Sequence, residues 1–420
     1  MNPIRIRRAN IVEGAFFVFV AFVICTYNNC YFMWDSYNNS FVSTVFKMAQ
    51  HFAGILLLFY AYLSNNKKLK ISRSGYVIIF LSILIFLHVN LLGSQYIFAS
   101  TLLCVDVTIG VVAILSLQVQ QRLRLFKIII VVFCIITLPG LLYYILYLLG
   151  FDLNYSILQS DHPGKVSRGM YYLHKSFGLI LVEPANINRY TGIFDEPGMI
   201  GTTAAILFAA GYKKIKTKWL LLLLVEGMLS FSLAFYGLII IFFSVKILLE
   251  NPIKMICAVG VLVCAITVFR NMDFESEELT AIQKRFKPNT TMSIKTNRYS
   301  TLFEKEYNAF WEKGGYPLYM GIGGLGSYAK NPVMIGANTY KCLIYDLGIV
   351  GCILFLSFFA SIFIIKKKVL IDFIPFLSVY FISLYQRAYV YKFSTVAIFI
   401  LAITMIYYEY YMNRNVSLNG

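Results

Sequence analysis

The sequence predicts an all-α polytopic membrane protein with about 12 transmembrane helices and two large loops on the outer face. Its apolar residues occur in runs of about 17–25 with few charges, the length that a helix needs to cross a hydrocarbon core. Of the 420 residues, 59% are hydrophobic and only 14% are charged, and the mean hydropathy is +0.70. A soluble domain of this size does not have such a composition.

The apolar runs divide the chain into three groups of spans: five within 1–149, four within 198–269 and three within 340–420, followed by a short cytoplasmic tail. One long tilted helix over 219–249 is an alternative to two spans, but a tight reversal near Ser232–Gly237 favours two. The predicted spans lie near 11–27, 41–63, 75–92, 96–117, 127–149, 198–211, 219–233, 235–249, 253–269, 340–364, 369–385 and 393–411.

Basic residues predict the orientation. The segments that fall on one side in the twelve-span arrangement contain 20 of the 37 Lys and Arg, together with a single acid, Glu250. By the positive-inside rule this side is cytoplasmic. Both termini are therefore expected inside the cell, and the loops 150–197 and 270–339 outside.

Composition also excludes several classes of function. The net charge of +17 arises mainly from the Lys and Arg residues on the cytoplasmic side. The outer loops are close to neutral, so a nucleic-acid partner is not expected. The four histidines show no ligand spacing, which argues against a metal, and no cofactor is expected. His51 and His88 fall within spans and are expected to be buried hydrogen-bonding groups. Asp106 and Glu226 are acids within spans, which are costly and therefore worth testing.

The first loop ends in a charged turn that leads into a helix. Pro197 suits a first helical turn. Arg189 offers a bidentate fork for phosphate, and the carboxylate of Glu196 can accept a hydroxyl proton. Asp195 is equally well explained as a helix cap. Tyr190 belongs to a set of outer-loop aromatic residues whose rings can stack on sugar faces.

In the second loop, apolar residues recur at helical spacing over 297–311, which predicts an amphipathic surface helix. Arg298 at its head combines a guanidinium with a helix start and is a candidate anion site. Gly321, Gly323 and Gly326 formally satisfy a dinucleotide fingerprint, but no strand–helix unit surrounds them. A flexible turn whose amides approach a diphosphate or sugar is the better interpretation.

The order of these motifs resembles the O-antigen polymerase (Wzy-type) and O-antigen ligase superfamily. The resemblance rests on Arg-x-x-Gly-x-Phe-x-Glu-Pro-Gly at 189–198, Arg298, Pro-Leu-x-x-Gly-Ile-Gly at 317–323 and Asn-Thr-Tyr-x-x-x-Ile-x-x-x-Gly-Ile-x-Gly at 338–351. It implies a fold related to the C-type glycosyltransferases (GT-C). It also implies a metal-independent inverting enzyme of the bacterial inner membrane that takes glycan from undecaprenyl diphosphate on the outer leaflet. Ligases of the superfamily usually carry His-Asn where this chain has Ala337-Asn338, which favours a polymerase.

The resemblance also implies roles for residues. Arg189 and Arg298 would bind the diphosphate of the donor, and Glu196, with Asp195 as its alternate, would accept the proton of the acceptor hydroxyl. The motif residues that would contact sugar or shape the loops are Tyr190, Gly321, Gly323, Asn338 and Tyr340. A lipid-linked acceptor is the expected partner, and a polysaccharide chain-length regulator is a further candidate partner. The alternatives are ligation of glycan to lipid A core or protein, and a flippase for lipid-linked oligosaccharides.

Overall fold

The computed structural model of the protein describes residues 3–27, 30–31, 40–91, 97–151, 154–158, 171–174, 179–182, 189–273, 280, 283, 301–322, 340–364, 370–386 and 391–418. Within these ranges a helix is present at each of the twelve predicted spans. The first group is α1 (Pro3–Thr26), α2 (Ser40–Ser64), α3 (Arg73–Leu91), α4 (Ile97–Ser116) and α5 (Val119–Leu148). The second is α6 (Pro197–Gly211), α7 (Thr217–Leu229), α8 (Leu233–Glu250) and α9 (Pro252–Asn271). Later helices are α10 (Thr301–Lys313), α11 (Gly315–Met320), α12 (Tyr340–Ile364), α13 (Leu370–Gln386) and α14 (Phe393–Leu418).

The protein is mostly helical, and its long apolar helices are those of a membrane protein. Across the described residues, five helices are long and apolar enough to cross one, namely α2, α3, α5, α8 and α12, and shorter apolar stretches occur in α1, α4, α6, α13 and α14. Large apolar side chains such as Phe59, Phe80 and Leu142 are more than half exposed on helix faces. Such faces are costly in water and suit contact with lipid.

Among the described residues, buried apolar side chains of α1–α8 and α12–α14 form one large core, and those of α10 and α12 form a second, smaller cluster. α1 packs on α5, α2 and α3 pack on α4, and α14 contacts both α4 and α5. α6 packs on α7, α8 and α13. The sequence left open whether 219–249 forms one helix or two, and the structure has two: α7 ends at Leu229, α8 begins at Leu233, and Phe231 between them has a φ of 45°.

The expectation of an all-α protein misses one small element in the first loop. Strands β1 (Ser156–Leu158), β2 (Tyr171–His174) and β3 (Leu179–Val182) form an antiparallel sheet in the order β1-β2-β3. Tyr171 pairs with Val182, and Ser156 pairs with Leu173. β3 packs against α5, so the sheet connects the first loop to the helices.

Candidate functional site

Residues 189–195, at the end of the first loop, are fixed to the helices by their backbone and by Tyr190. The Tyr190 hydroxyl donates to the Thr137 carbonyl of α5 at 2.7 Å, and its backbone N–H donates to Leu229 O of α7 at 3.2 Å. On the other side, the Tyr31 N–H donates to Ile193 O at 3.2 Å. The segment is therefore attached to α5, to α7 and to the connection that follows α1.

Tyr190 corrects one prediction. Its side chain is fully buried, with its ring 5.6 Å from that of Tyr144. Burial raises the pKa of its hydroxyl well above the usual value, so the group stays protonated and donates. A ring that is buried in this way has no face for a sugar, so its position supports an anchoring role instead of stacking.

Arg189 lies at the turn between α7 and α8. Its Nε–H donates to the Ser230 carbonyl at 3.2 Å, and Ser230 is the C-cap residue of α7. A helix C-terminus carries partial negative charge, which favours a guanidinium there. The side chain is only partly buried, and its charge also interacts with the hydroxyl of Tyr236 at the start of α8. This contact orients the cation at the loop side of the helices.

The two candidate bases differ in exposure. Glu196 is the N-cap residue of α6, its side chain makes no capping hydrogen bond, and Pro197 occupies the first helical turn as predicted. Glu196 is partly exposed, whereas Asp195 is 2% exposed. Asp195 lies close to the buried Cys30 thiol, and burial, followed by the Asp195 charge, raises the pKa of that thiol. Glu196 is thus the more accessible carboxylate.

A third carboxylate, that of Glu226, lies near this segment. Glu226 of α7 is fully buried, and its Oε1 is 2.5 Å from the Thr137 hydroxyl of α5. Thr137 is the residue whose carbonyl accepts from Tyr190. The sequence singles out Glu226 as an acid within a span, but it does not reveal that Glu226 and Tyr190 share a partner.

The predicted amphipathic helix of the second loop is confirmed as α10. Phe303, Tyr307 and Phe310 on one of its faces are buried against Cys342 and Tyr345 of α12. The rings of Phe310 and Tyr345 are 5.3 Å apart. The helix therefore lies on the protein. Arg298, which precedes it, falls outside the described residues.

Two motif glycines bring α11 against a break in α12. Gly348 is non-helical within α12, with φ 65°, and Gly321 follows α11 with φ 91°. A Cβ on Gly321 would be 2.1 Å from Asp346 O, and one on Gly348 would be 2.4 Å from Gly321 N. Only glycine combines these φ values with such close backbone contact. The two motifs at 317–323 and 338–351 therefore touch each other.

This contact corrects the interpretation of Gly321 as a flexible amide donor to a diphosphate. Its N–H donates to Pro317 O at 2.7 Å, and the next N–H, of Ile322, donates to Tyr345 O at 3.0 Å. Gly321 therefore has a structural role. Gly323, Gly326 and Asn338 lie outside the described residues.

His88 is confirmed as a buried hydrogen-bonding group. Its Nε2 is 2.8 Å from the Leu347 carbonyl at the break in α12. A carbonyl only accepts, so Nε2 must carry the proton. Breaks in membrane helices free backbone carbonyls that need a donor, and His88 supplies one. A Cβ on the motif residue Gly351 would be 2.6 Å from this nitrogen, which explains the glycine there.

Tyr340 begins α12, and its ring stacks on Tyr385 near the end of α13, with centroids 5.0 Å apart. Both rings are exposed, Tyr340 by 38% and Tyr385 by 62%. α13 packs on both α6 and α12, so it lies between the helix that follows Glu196 and the helix that begins at Tyr340.

A polar pair within the helices was not predicted as a pair. His51 Nδ1 of α2 is hydrogen bonded to Asp106 Oδ2 of α4, and Asp106 also interacts with the Tyr27 hydroxyl. Asp106 is 5% exposed and the His51 side chain 37%. Over the described part of the chain, no three His, Cys, Asp or Glu side chains come together as a metal site.

Comparison with known proteins adds no relative: no protein-family model matches the chain, and no curated protein is significantly similar to it.

Proposed function

We propose that the protein is a surface-polysaccharide polymerase of the O-antigen polymerase type. It joins undecaprenyl-diphosphate-linked oligosaccharide repeat units on the outer leaflet of the bacterial inner membrane, without a metal or cofactor. The observation that carries the proposal is the attachment of Arg189 and Glu196 to neighbouring helix ends. Arg189 is oriented by Ser230 O at the end of α7, and Glu196 begins α6, which packs on α7.

A cation and an accessible carboxylate suit transfer from a lipid diphosphate. The guanidinium of Arg189, together with Arg298, binds the diphosphate of the donor through charge-assisted hydrogen bonds. The bond between the sugar anomeric carbon and the diphosphate oxygen breaks, and a bond to the acceptor hydroxyl oxygen forms. Glu196, or Asp195 as its alternate, accepts the hydroxyl proton. Stabilisation of the charge that develops on the leaving diphosphate is the largest expected contribution.

The fold supports the proposal by joining the two resemblance motifs of the second loop. Gly321 and Gly348 bring α11 to the break in α12, the helix whose first residue, Tyr340, stacks on Tyr385 near the end of α13. Exposed stacked rings provide the amphipathic faces that bind sugars. The loop residues 323–339 connect these two points.

The topology within the proposal has twelve spans, a GT-C-like arrangement and both termini in the cytoplasm. Single cysteines replacing Lys165 and Lys287 should then react with an impermeant thiol reagent in intact cells. Cysteines replacing Lys68 and Lys214 should not react. Reaction at position 214 without reaction at 165 would invert the orientation and remove the catalytic role of the loops.

Arginine substitutions test the site. Arg189→Ala and Arg298→Ala should each abolish polymer at normal protein levels, a loss of about a hundredfold or more. Arg189→Lys should recover only part of the activity, because lysine keeps the charge but lacks the planar fork. Polymer is measured in proteoliposomes that are supplied with lipid-linked repeat units.

Arg270→Ala is the matched control, because this arginine is exposed near the end of α9, where the second loop begins. Normal polymer from Arg189→Ala would contradict the diphosphate role and leave Arg189 as a cap of α7.

A lipid-linked oligosaccharide flippase is the second candidate, and the pair of His51 and Asp106 favours it. Ionisable pairs on apolar helices commonly carry protons in transporters. Movement of fluorescent lipid-linked repeat units across the bilayer, lost in His51→Gln, would support the flippase. Growth of long chains from repeat units already on the outer face, unchanged in His51→Gln, supports the polymerase.

A further inference from the structure

We propose that Glu226 is held as a neutral carboxylic acid that donates a hydrogen bond to Thr137, and that this bond positions Arg189. The role of Arg189 as a diphosphate ligand rests on the proposed function. The protonation of Glu226 does not.

The surroundings of Glu226 disfavour a charge. The side chain is fully buried between α5 and α7, and within the described residues no Lys, Arg or His forms an ion pair with it. An isolated ionised carboxylate in a low-dielectric interior is strongly unfavourable, and such a group takes up a proton instead. Its Oε2 also has no hydrogen-bond donor in the described part of the chain.

Counting hydrogens around Thr137 leads to the same conclusion. The Thr137 Oγ1 lies 2.7 Å from the Phe133 carbonyl and 2.5 Å from Glu226 Oε1. A threonine hydroxyl has one hydrogen, and a carbonyl oxygen only accepts. If Glu226 were ionised, both of these neighbours and the more distant Cys134 carbonyl, at 3.4 Å, would be acceptors, and one of the two short contacts would contain no hydrogen. With a proton on Glu226, Thr137 donates to Phe133 and accepts from Glu226, so both contacts are hydrogen bonds.

The hydrogen bond between Glu226 and Thr137 joins α7 to α5 close to the residues of both helices that bind Arg189 and Tyr190. On α5, Thr137 O accepts from the Tyr190 hydroxyl. On α7, Glu226 lies one turn before Ser230, whose carbonyl accepts from Arg189 Nε–H. Leu229 O, in the same turn, accepts from the Tyr190 N–H. A change in the spacing of α5 and α7 would therefore move Arg189, so Glu226 acts through Arg189 as a positioning residue.

Infrared spectroscopy tests the protonation directly. In protein labelled with ¹³C-glutamate at neutral pH, the wild type should show a carboxylic-acid carbonyl band that is missing from Glu226→Gln. Loss of a carboxylate band instead would show that Glu226 is ionised, and would overturn the inference. This result does not depend on polymer formation, so an absence of polymer from the wild type would overturn only the proposed function.

Activity tests the positioning role. Glu226→Gln should keep polymer within about twofold, because its amide can donate to Thr137, whereas Glu226→Leu and Thr137→Val should lose about tenfold or more through misplacement of Arg189. In the Arg189→Lys background, Thr137→Val should cause little further loss, as expected for residues that act through one group.

Thr404→Val is the matched control, because Thr404 is a buried threonine of α14 whose hydroxyl donates to Ile400 O at 2.9 Å. It should keep polymer within about twofold. Equal losses in Glu226→Gln and Glu226→Leu would overturn the proposal, because a neutral donor would then be insufficient. A full tenfold further loss from Thr137→Val in the Arg189→Lys background would overturn the link to Arg189.

Discussion

The two loops are attached to the helices by different interactions. The end of the first loop is held by hydrogen bonds from Arg189 and Tyr190 to carbonyls of α5 and α7. The second loop is held by the aromatic face of α10 and by the backbone contact of Gly321 with α12. One attachment is polar and directional, and the other is apolar and depends on close packing.

The difference implies that the first attachment mainly sets orientation and the second mainly adds stability. A single hydrogen bond contributes about 0.5–1.5 kcal/mol but fixes the direction of its groups. A buried aromatic ring contributes about 3–5 kcal/mol but fixes direction less strictly. The first attachment thus orients a guanidinium, and the second provides a stable base for residues 323–339. Substitutions in each attachment should separate stability from activity.

The largest effect on stability is expected from Phe303→Ala. Phe303 is fully buried between α10 and α12, and its removal should cost about 3–5 kcal/mol. The midpoint of thermal unfolding in detergent should fall, and the second loop should become sensitive to protease. Trp311→Ala is the control, because Trp311 lies on the same helix but is 44% exposed. Equal effects of the two substitutions would show that α10 does not pack as described.

The second largest loss of stability is expected from Gly321→Ala. Gly321→Ala places a Cβ 2.1 Å from Asp346 O and should cost about 1–3 kcal/mol from overpacking, in addition to strain at a positive φ. Gly314→Ala is the matched control, since Gly314 also has a positive φ, of 55°, but has open space around it. Thermal unfolding midpoints of the two variants isolate the contact with α12. Equal shifts would attribute the whole effect to backbone strain.

A smaller stability loss, about 1 kcal/mol, is expected from Tyr190→Phe, which removes the hydrogen bond to Thr137 O. If the first attachment orients Arg189, polymer synthesis should fall by a larger factor than the unfolding midpoint suggests. Tyr316→Phe serves as control, because Tyr316 is 65% exposed. A loss of stability without a loss of activity would make this attachment purely structural.

The smallest effect is expected on the reactivity of Cys30. This residue is buried beside Phe194, and burial raises the pKa of its thiol. Reactivity of a thiol depends on its thiolate fraction and access. Cys30 should react slowly with a maleimide in the native protein and faster in Phe194→Ala. The comparison is a cysteine in place of the exposed Lys305, measured by mass spectrometry. Equal rates in the native protein would show that residues 193–195 do not cover Cys30.

Local sequence determined the helices, because apolar length and turn chemistry act within a few neighbouring residues. The helices lie at the predicted spans, Pro197 begins α6, and α10 forms over the predicted amphipathic stretch. The sheet of the first loop was not predicted, since its strands of 3 or 4 residues are too short to show a period. The motif at 189–198 correctly marked a charged turn at a helix start.

Tertiary structure decided which polar groups meet. His51 and Asp106 are 55 residues apart in sequence, Glu226 and Thr137 are 89 apart, and His88 and Leu347 are 259 apart. The sequence singles out Asp106 and Glu226, because isolated charge within an apolar helix is costly, and it predicts His51 and His88 as buried hydrogen-bonding groups. It contains no local signal for their partners, since contact between distant helices depends on how their faces pack. For the same reason the sequence could not distinguish Tyr190, buried on Thr137, from Tyr340, exposed at a helix end.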